Sequence, residues 1–127
     1  MSSKHDQSMM DNLYWWGVPT LFRAPQDSPE NADIALVGVP HSTGNGTTER
    51  DQHLGPRAVR NVSALQRRAH GGFQIDPWEA ARIIDAGDVP FPRANDNEDC
   101  IERITAFYKG IDASGARPVS ILSLIHI

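Results

Sequence analysis

The stretch IALVGV, residues 34–39, carries no polar side chain and ends at Pro40. A half-exposed strand would alternate. Unbroken β-branched and aliphatic character is what an inner parallel strand needs when helices cover both its faces. HSTGNGTTERDQHLG, residues 41–55, follows as a long polar loop. GPRAVRNVSALQRRA, residues 55–69, then reads as a helix, with Pro56 near the first turn where a missing N–H costs nothing. Val59, Val62 and Leu65 fall three apart and define its apolar face, while Arg57, Arg60, Arg67 and Arg68 read as one solvated face.

A second short strand is expected within ARIIDAGDVP, residues 81–90, where Asp85 and Asp88 bracket Gly87 as the strand runs out into a loop. NDNEDCIERITAFYKGIDASG, residues 95–115, is the clearest helix. Ile101, Ile104, Phe107, Tyr108 and Ile111 recur at three and four residues. Residues 95–97 offer caps, Glu98 and Asp99 favour the positive end of the helix dipole, and Gly115 can end the helix in the left-handed conformation. PVSI then opens a third strand. Strand, helix, strand, helix, strand predicts an α/β fold, a parallel sheet covered by helices.

Residues 1–31 are rich in Ser, Asp, Asn, Gln and Pro, with one aromatic island, LYWWGVPTLFRAP. Trp15, Trp16 and Phe22 have too much apolar area to leave in water, so this arm is expected to pack on the body or on a partner subunit. The domain proper is expected to begin at residue 32.

Composition narrows the class. The 127 residues suit one modest core, and 39% hydrophobic with 22% charged residues is ordinary for a globular chain. A net charge of -4 leaves no basic footprint for nucleic acid. No run approaches a membrane span, and the N-terminus lacks the apolar stretch of a signal peptide. The single cysteine, Cys100, excludes an internal disulfide framework and fits a reducing compartment, so the cytoplasm is expected.

Ligands of such sheets gather beyond the carboxyl ends of the strands. The loop after Pro40 is the richest in chemistry: His41, Ser42, Asn45, Glu49, Arg50, Asp51 and His53 are its candidate substrate-loop residues. Plain polar linkage is the competing account, because His41 and His53 match no tight metal spacing. The glycines of GNGTT lack the Gly-Lys-Ser/Thr ending or GxGxxG spacing of a phosphate cradle. A non-catalytic small α/β module binding a ligand through this loop is the alternative to an enzyme.

The ordered set DIALVGVPHSTGNGTTERDQHLGPRAVR, DPWEAARIIDAGDVP and GARPVSI resembles the N-terminal portion of the ureohydrolases, the arginase and agmatinase family, from about Asp33 to Ile121. The resemblance implies a three-layer α/β/α domain, assembled in trimers or hexamers, that hydrolyses a linear guanidino compound to urea and an amine. It also implies two manganese ions sharing a bridging hydroxide, made available near neutral pH because metal binding lowers the pKa of water. In the family the ligands come from a Gly-Gly-Asp-His-Ser segment after the third strand and from later Asp/His clusters. None of these is present here, so the chain by itself is expected to be inactive and to hold no manganese tightly, and Asp85 and Asp88 are expected to be structural. Where agmatinase-like members carry an aromatic and an acid after GVP, this chain has His41 and Ser42. The substrate therefore stays open: Arg50 would suit an acidic one, Glu49 or Asp51 a cationic one.

Leu122 to Ile127, LSLIHI, stands where the resemblance implies Gly-Gly-Asp-His-Ser. Back-translated as CTG TCT CTT ATA CAC ATC, it matches the transposase mosaic end used as a sequencing adapter. Residues 122–127 are accordingly expected to be a non-native tail on a chain cut within its core after the third strand.

Overall fold

A computed structural model describes residues 16–42, 51–66 and 69–122. Strand β1 is Ile34–Val39, helix α1 Gly55–Ser63, the one-turn helix α2 Pro77–Ala80, strand β2 Ile83–Asp88, helix α3 Asn97–Ser114 and strand β3 Arg117–Leu122. Short 3-10 turns stand at Leu21–Arg23, Pro29–Asn31 and Gln52–Leu54. The three strands are parallel in the order β2-β1-β3. The apolar run of β1 thus occupies the centre of the sheet, as its unbroken hydrophobicity predicts.

The two faces of β1 have different partners. Ala35, Val37 and Val39 pack with Ile84, Val89, Ile111 and Ala116 into one cluster, closed by Ile104, Phe107 and Tyr108 of α3. Leu36 packs on the other face with Ile83, Leu21 and Ala24, flanked by Val59 of α1 and Trp78 of α2. Each fully buried side chain of the Ile111 or Leu21 kind contributes about 1.5–3 kcal/mol. Helices α1 and α3 therefore lie on opposite faces, as a right-handed crossover rule demands when successive connections run in opposite directions across the sheet.

Helix α3 starts at an Asp96 cap, whose carboxylate accepts the Asp99 N–H at 3.1 Å, and ends at Gly115 with φ of 84°. Both ends fall where the sequence signals them. Helix α1 departs from its expected reading in two ways. It ends at Ser63, and its buried residues are Pro56, Arg60 and Ser63, whereas Val62 and Leu65 are 60% and 63% exposed. Arg60 consequently leaves the solvated arginine face assigned to it. Its guanidinium instead turns inward to the two carboxylates of β2, Asp85 and Asp88.

The arm joins the body through Leu21 and Ala24, both fully buried, while Trp16 and Phe22 stay 49% and 37% exposed on this chain. Trp15 lies outside the described residues. Backbone bonds fix the arm further: the Asp85 N–H donates to Pro25 O at 2.9 Å, and the Phe22 N–H donates to Ser63 Oγ at 2.9 Å. Strand β3 runs in register with β1 as far as Leu122 opposite Val39, and residues 123–127 of the expected non-native tail lie outside the described residues.

Candidate functional site

The chain leaves β1 toward the α1 face and leaves β2 toward the α3 face, which opens a crevice beyond the carboxyl ends of these strands. A cavity of about 500 Å3 fills it. His41 and Ser42 enter its wall from the end of β1, His53 and Arg57 from the start of α1, Asp88 from the end of β2, and Phe91 and Asn95 from the connection to α3, with Pro40, Leu54 and Ala94 between them.

His41 is 5% exposed. Its Nε2 donates to Asn97 Oδ1 at 3.2 Å, and its ring lies 5.4 Å from that of Phe91, tilted by 41°. The imidazole is thus held from two sides by the β2–α3 side of the crevice. His53 is exposed, in the turn just before α1. Asp51 precedes that turn with φ of 53° and is not on the cavity wall. Asn45, Glu49 and Arg50 lie outside the described residues.

A buried charge network forms the floor behind Asp88. Arg60 donates from Nε to Asp85 Oδ2 and from Nη2 to Asp85 Oδ1, each at 3.1 Å, and from Nη1 to Asp88 Oδ1 at 2.6 Å. Asp85 also accepts the Leu21 N–H at 2.9 Å and the Gly87 N–H at 2.8 Å. Burial opposes the charge on Arg60, but the hydrogen bonds to Asp85 and Asp88 outweigh it and hold the guanidinium above its ordinary pKa. Both aspartates are engaged by Arg60, Asp85 in full burial and Asp88 with its side chain 36% exposed on the cavity wall. Gly38 makes the arrangement sterically possible: a Cβ there would lie 1.8 Å from Asp88 Oδ1 and 2.9 Å from Pro56 Cβ.

Arg57 differs from Arg60 although the two are three residues apart. Arg60 points into the protein and is saturated by carboxylates. Arg57 is exposed at the cavity and has no ion-pair partner among the described residues. The expectation of one solvated arginine face holds for the exposed Arg57 and fails for the buried Arg60. The usable signal was the carboxylate pair of DAGD opposite a helix start, which requires one arginine to turn inward.

Among the described residues no three His, Cys, Asp or Glu side chains converge to hold a metal ion. The described part of the crevice therefore does not itself supply the binuclear centre that the resemblance implies. A second hollow of about 380 Å3 lies on the arm side of the sheet, lined mainly by apolar residues such as Phe22, Leu36, Trp78 and Val119. Gln66 and His70 are the polar side chains among its described lining residues.

A parallel sheet with helices on both faces and a polar, imidazole-lined crevice at its carboxyl end defines the class: an α/β domain of the layered, parallel-sheet kind. The sequence profile of the arginase family matches residues 32–121. The chain belongs to the arginase family. It is 37% identical over 124 residues to the guanidinopropionase of Pseudomonas aeruginosa, covering 95% of this chain and 38% of that protein. It is 36% identical over 107 residues to the mitochondrial agmatinase of Gallus gallus, covering 83% of this chain and 31% of that one. The fold superposes on the proclavaminate amidino hydrolase of Streptomyces clavuligerus with a TM-score of 0.72 at 25% identity, over 84% of this chain and 35% of that one. The chain thus spans under two-fifths of the length of these relatives.

Proposed function

We propose that this chain is the N-terminal part of a manganese-dependent ureohydrolase that converts a linear guanidino compound, of the agmatine or guanidinobutyrate class, to urea and an amine. The observation that carries this reading is the position of the cavity: within the segment matched to the arginase family, it sits at the carboxyl ends of the central strands and is walled by His41, Ser42 and His53 of the substrate loop. In this reading the segment supplies one wall of the substrate pocket, and the metal ligands come from sequence beyond β3. Manganese suits oxygen and imidazole ligands, and a chain with one cysteine, buried and free, accords with that chemistry and with a cytoplasmic setting.

Assembly into trimers or hexamers is part of the proposal. Two adjoining apolar hollows that share Phe22 and Gln66, with Val62 on the wall of one, support burial of that face against further protein. Among the described residues no helix is long and apolar enough to cross a membrane.

The experiment is to resequence the source locus through the codons for residues 118–127, express the complete reading frame, and assay urea release with manganese on agmatine and 4-guanidinobutyrate. Urea release that requires both the protein and manganese supports the proposal. A reading frame that closes at Ile127, yielding a protein that binds a guanidino compound in this cavity without releasing urea, would instead establish the non-catalytic module.

A further inference from the structure

We infer that Arg57 is a specificity-determining residue that holds the carboxylate of the substrate, and that the preferred substrate is therefore an ω-guanidino acid and not a guanidino amine. The inference deepens the proposed function and rests on it. Its basis is the charge inventory of the cavity wall. Among the described wall residues the ionisable side chains are His41, His53, Arg57 and Asp88. Asp88 is the one carboxylate, and its Oδ1 is taken by Arg60 Nη1 at 2.6 Å. That carboxylate is thereby engaged from inside the protein, although Arg60 also serves Asp85 and so offsets its charge only in part.

Arg57 stands in the opposite condition. Its guanidinium is exposed at the cavity, and no carboxylate among the described residues pairs with it. A planar fork of N–H donors matches a carboxylate bidentately, and such charge-assisted pairs are stronger than neutral hydrogen bonds. It also projects from the first turn of α1, a rigid element anchored to the sheet by the buried Pro56 and Arg60. A guanidino amine would meet this cation with its ammonium end. A guanidino acid would meet it with the complementary charge.

The test uses the protein expressed from its complete reading frame, in the wild type and in Arg57→Gln and Arg57→Lys. Binding of 4-guanidinobutyrate, 3-guanidinopropionate and agmatine is measured calorimetrically without manganese, and urea release is measured with it. Losing a bidentate charge-assisted contact should raise Kd and KM for both acids about ten- to a hundredfold in Arg57→Gln. Arg57→Lys should recover part of that loss, kcat should change little, and agmatine binding should improve or stay the same. Agmatine preferred by the wild type, or an unchanged KM for the acids in Arg57→Gln, would overturn the assignment while leaving the ureohydrolase reading intact. If no guanidino compound binds or yields urea, the proposed function fails and this inference fails with it.

Discussion

Replacing Asp85 by Asn should cost more stability than any other single-atom change in the described fold. The carboxylate accepts four bonds: Leu21 N–H and Arg60 Nε on Oδ2, Gly87 N–H and Arg60 Nη2 on Oδ1. An amide can orient in two ways, and in each its NH2 faces two of these donors. Two bonds are lost, one from a backbone N–H and one from Arg60, and the only carboxylate left to Arg60 is Asp88, whose side chain is 36% exposed, against the full burial of Asp85. Breaking a buried pair by neutralising one partner costs about 3–5 kcal/mol, a large part of the 5–15 kcal/mol that stabilises a typical domain. With a urea slope of about 2 kcal/mol per M, the midpoint should fall by roughly 2 M. Denaturation of the protein from its complete reading frame, followed by tryptophan fluorescence, reads this directly. Arg60→Lys should give a smaller loss, because it keeps the charge and gives up the fork. Arg60→Met combined with Asp85→Asn should cost less than the sum of the single changes, by about 0.5–3 kcal/mol. A loss below about 1 kcal/mol in Asp85→Asn, or strict additivity in the cycle, would refute the account of the network as a coupled buried unit.

Gly38→Ala should destabilise by about 1–3 kcal/mol or more through overpacking, because its Cβ would collide with Asp88 Oδ1 and Pro56 Cβ; a thermal midpoint equal to wild type would contradict the close approach. Asp33, hydrogen-bonded to the Arg82 side chain and backbone, has its pKa held below the ordinary carboxylate value. Its contribution is present above the unfolded value of about 3.9 and is lost as pH falls through the lower folded value. Asp33→Asn should accordingly be slightly less stable than wild type at pH 7, and the gap should close in acid and shrink in high salt, as comparative melts at several pH values will show. Cys100 is fully buried, and burial, reinforced by Asp99 and Asp96, pushes its thiol pKa up, so alkylation at neutral pH should be much slower in native than in unfolded protein.

What the sequence made legible were the features that depend on local pattern. The unbroken IALVGV run placed β1 at the centre of the sheet. The three- and four-residue spacing of Ile101, Ile104, Phe107, Tyr108 and Ile111 placed α3 against it, although Ile101 itself is 53% exposed outside the core, and Gly115 marked its end. Helix α1 was harder to orient because two signals compete within nine residues. Aliphatic spacing favours Val59 and Val62, whereas the buried set is Pro56, Arg60 and Ser63. Only the long-range partner of Arg60, 25 residues away in sequence, decides between them. The cavity shows the same division. His41, Ser42 and His53 were visible as a polar cluster after a strand, but Arg57 and Asp88 join them only through the folding of two separate connections. Residue type alone did not separate Arg57 from Arg60.

The buried network links two parts of the chain that sequence reading kept apart. Asp85 fixes the arm through the Leu21 N–H and fixes α1 through Arg60, and Arg60 in turn fixes Asp88 on the cavity wall. Arg57, one turn earlier on α1, takes its position from that anchorage. Charge and site are therefore divided along a single helix. The arginine that meets two carboxylates becomes a structural strut, and the one that meets none among the described residues is presented to the cavity. A short helix can do both because residues three apart project in directions separated by only about 60°, yet stand a turn apart along the axis. One position reaches down to the end of β2 and the other stays at the rim. On this account, loosening the strut should also displace the rim. Arg60→Lys should weaken binding of guanidino acids by a smaller factor than Arg57→Gln, without contributing any contact of its own to the ligand.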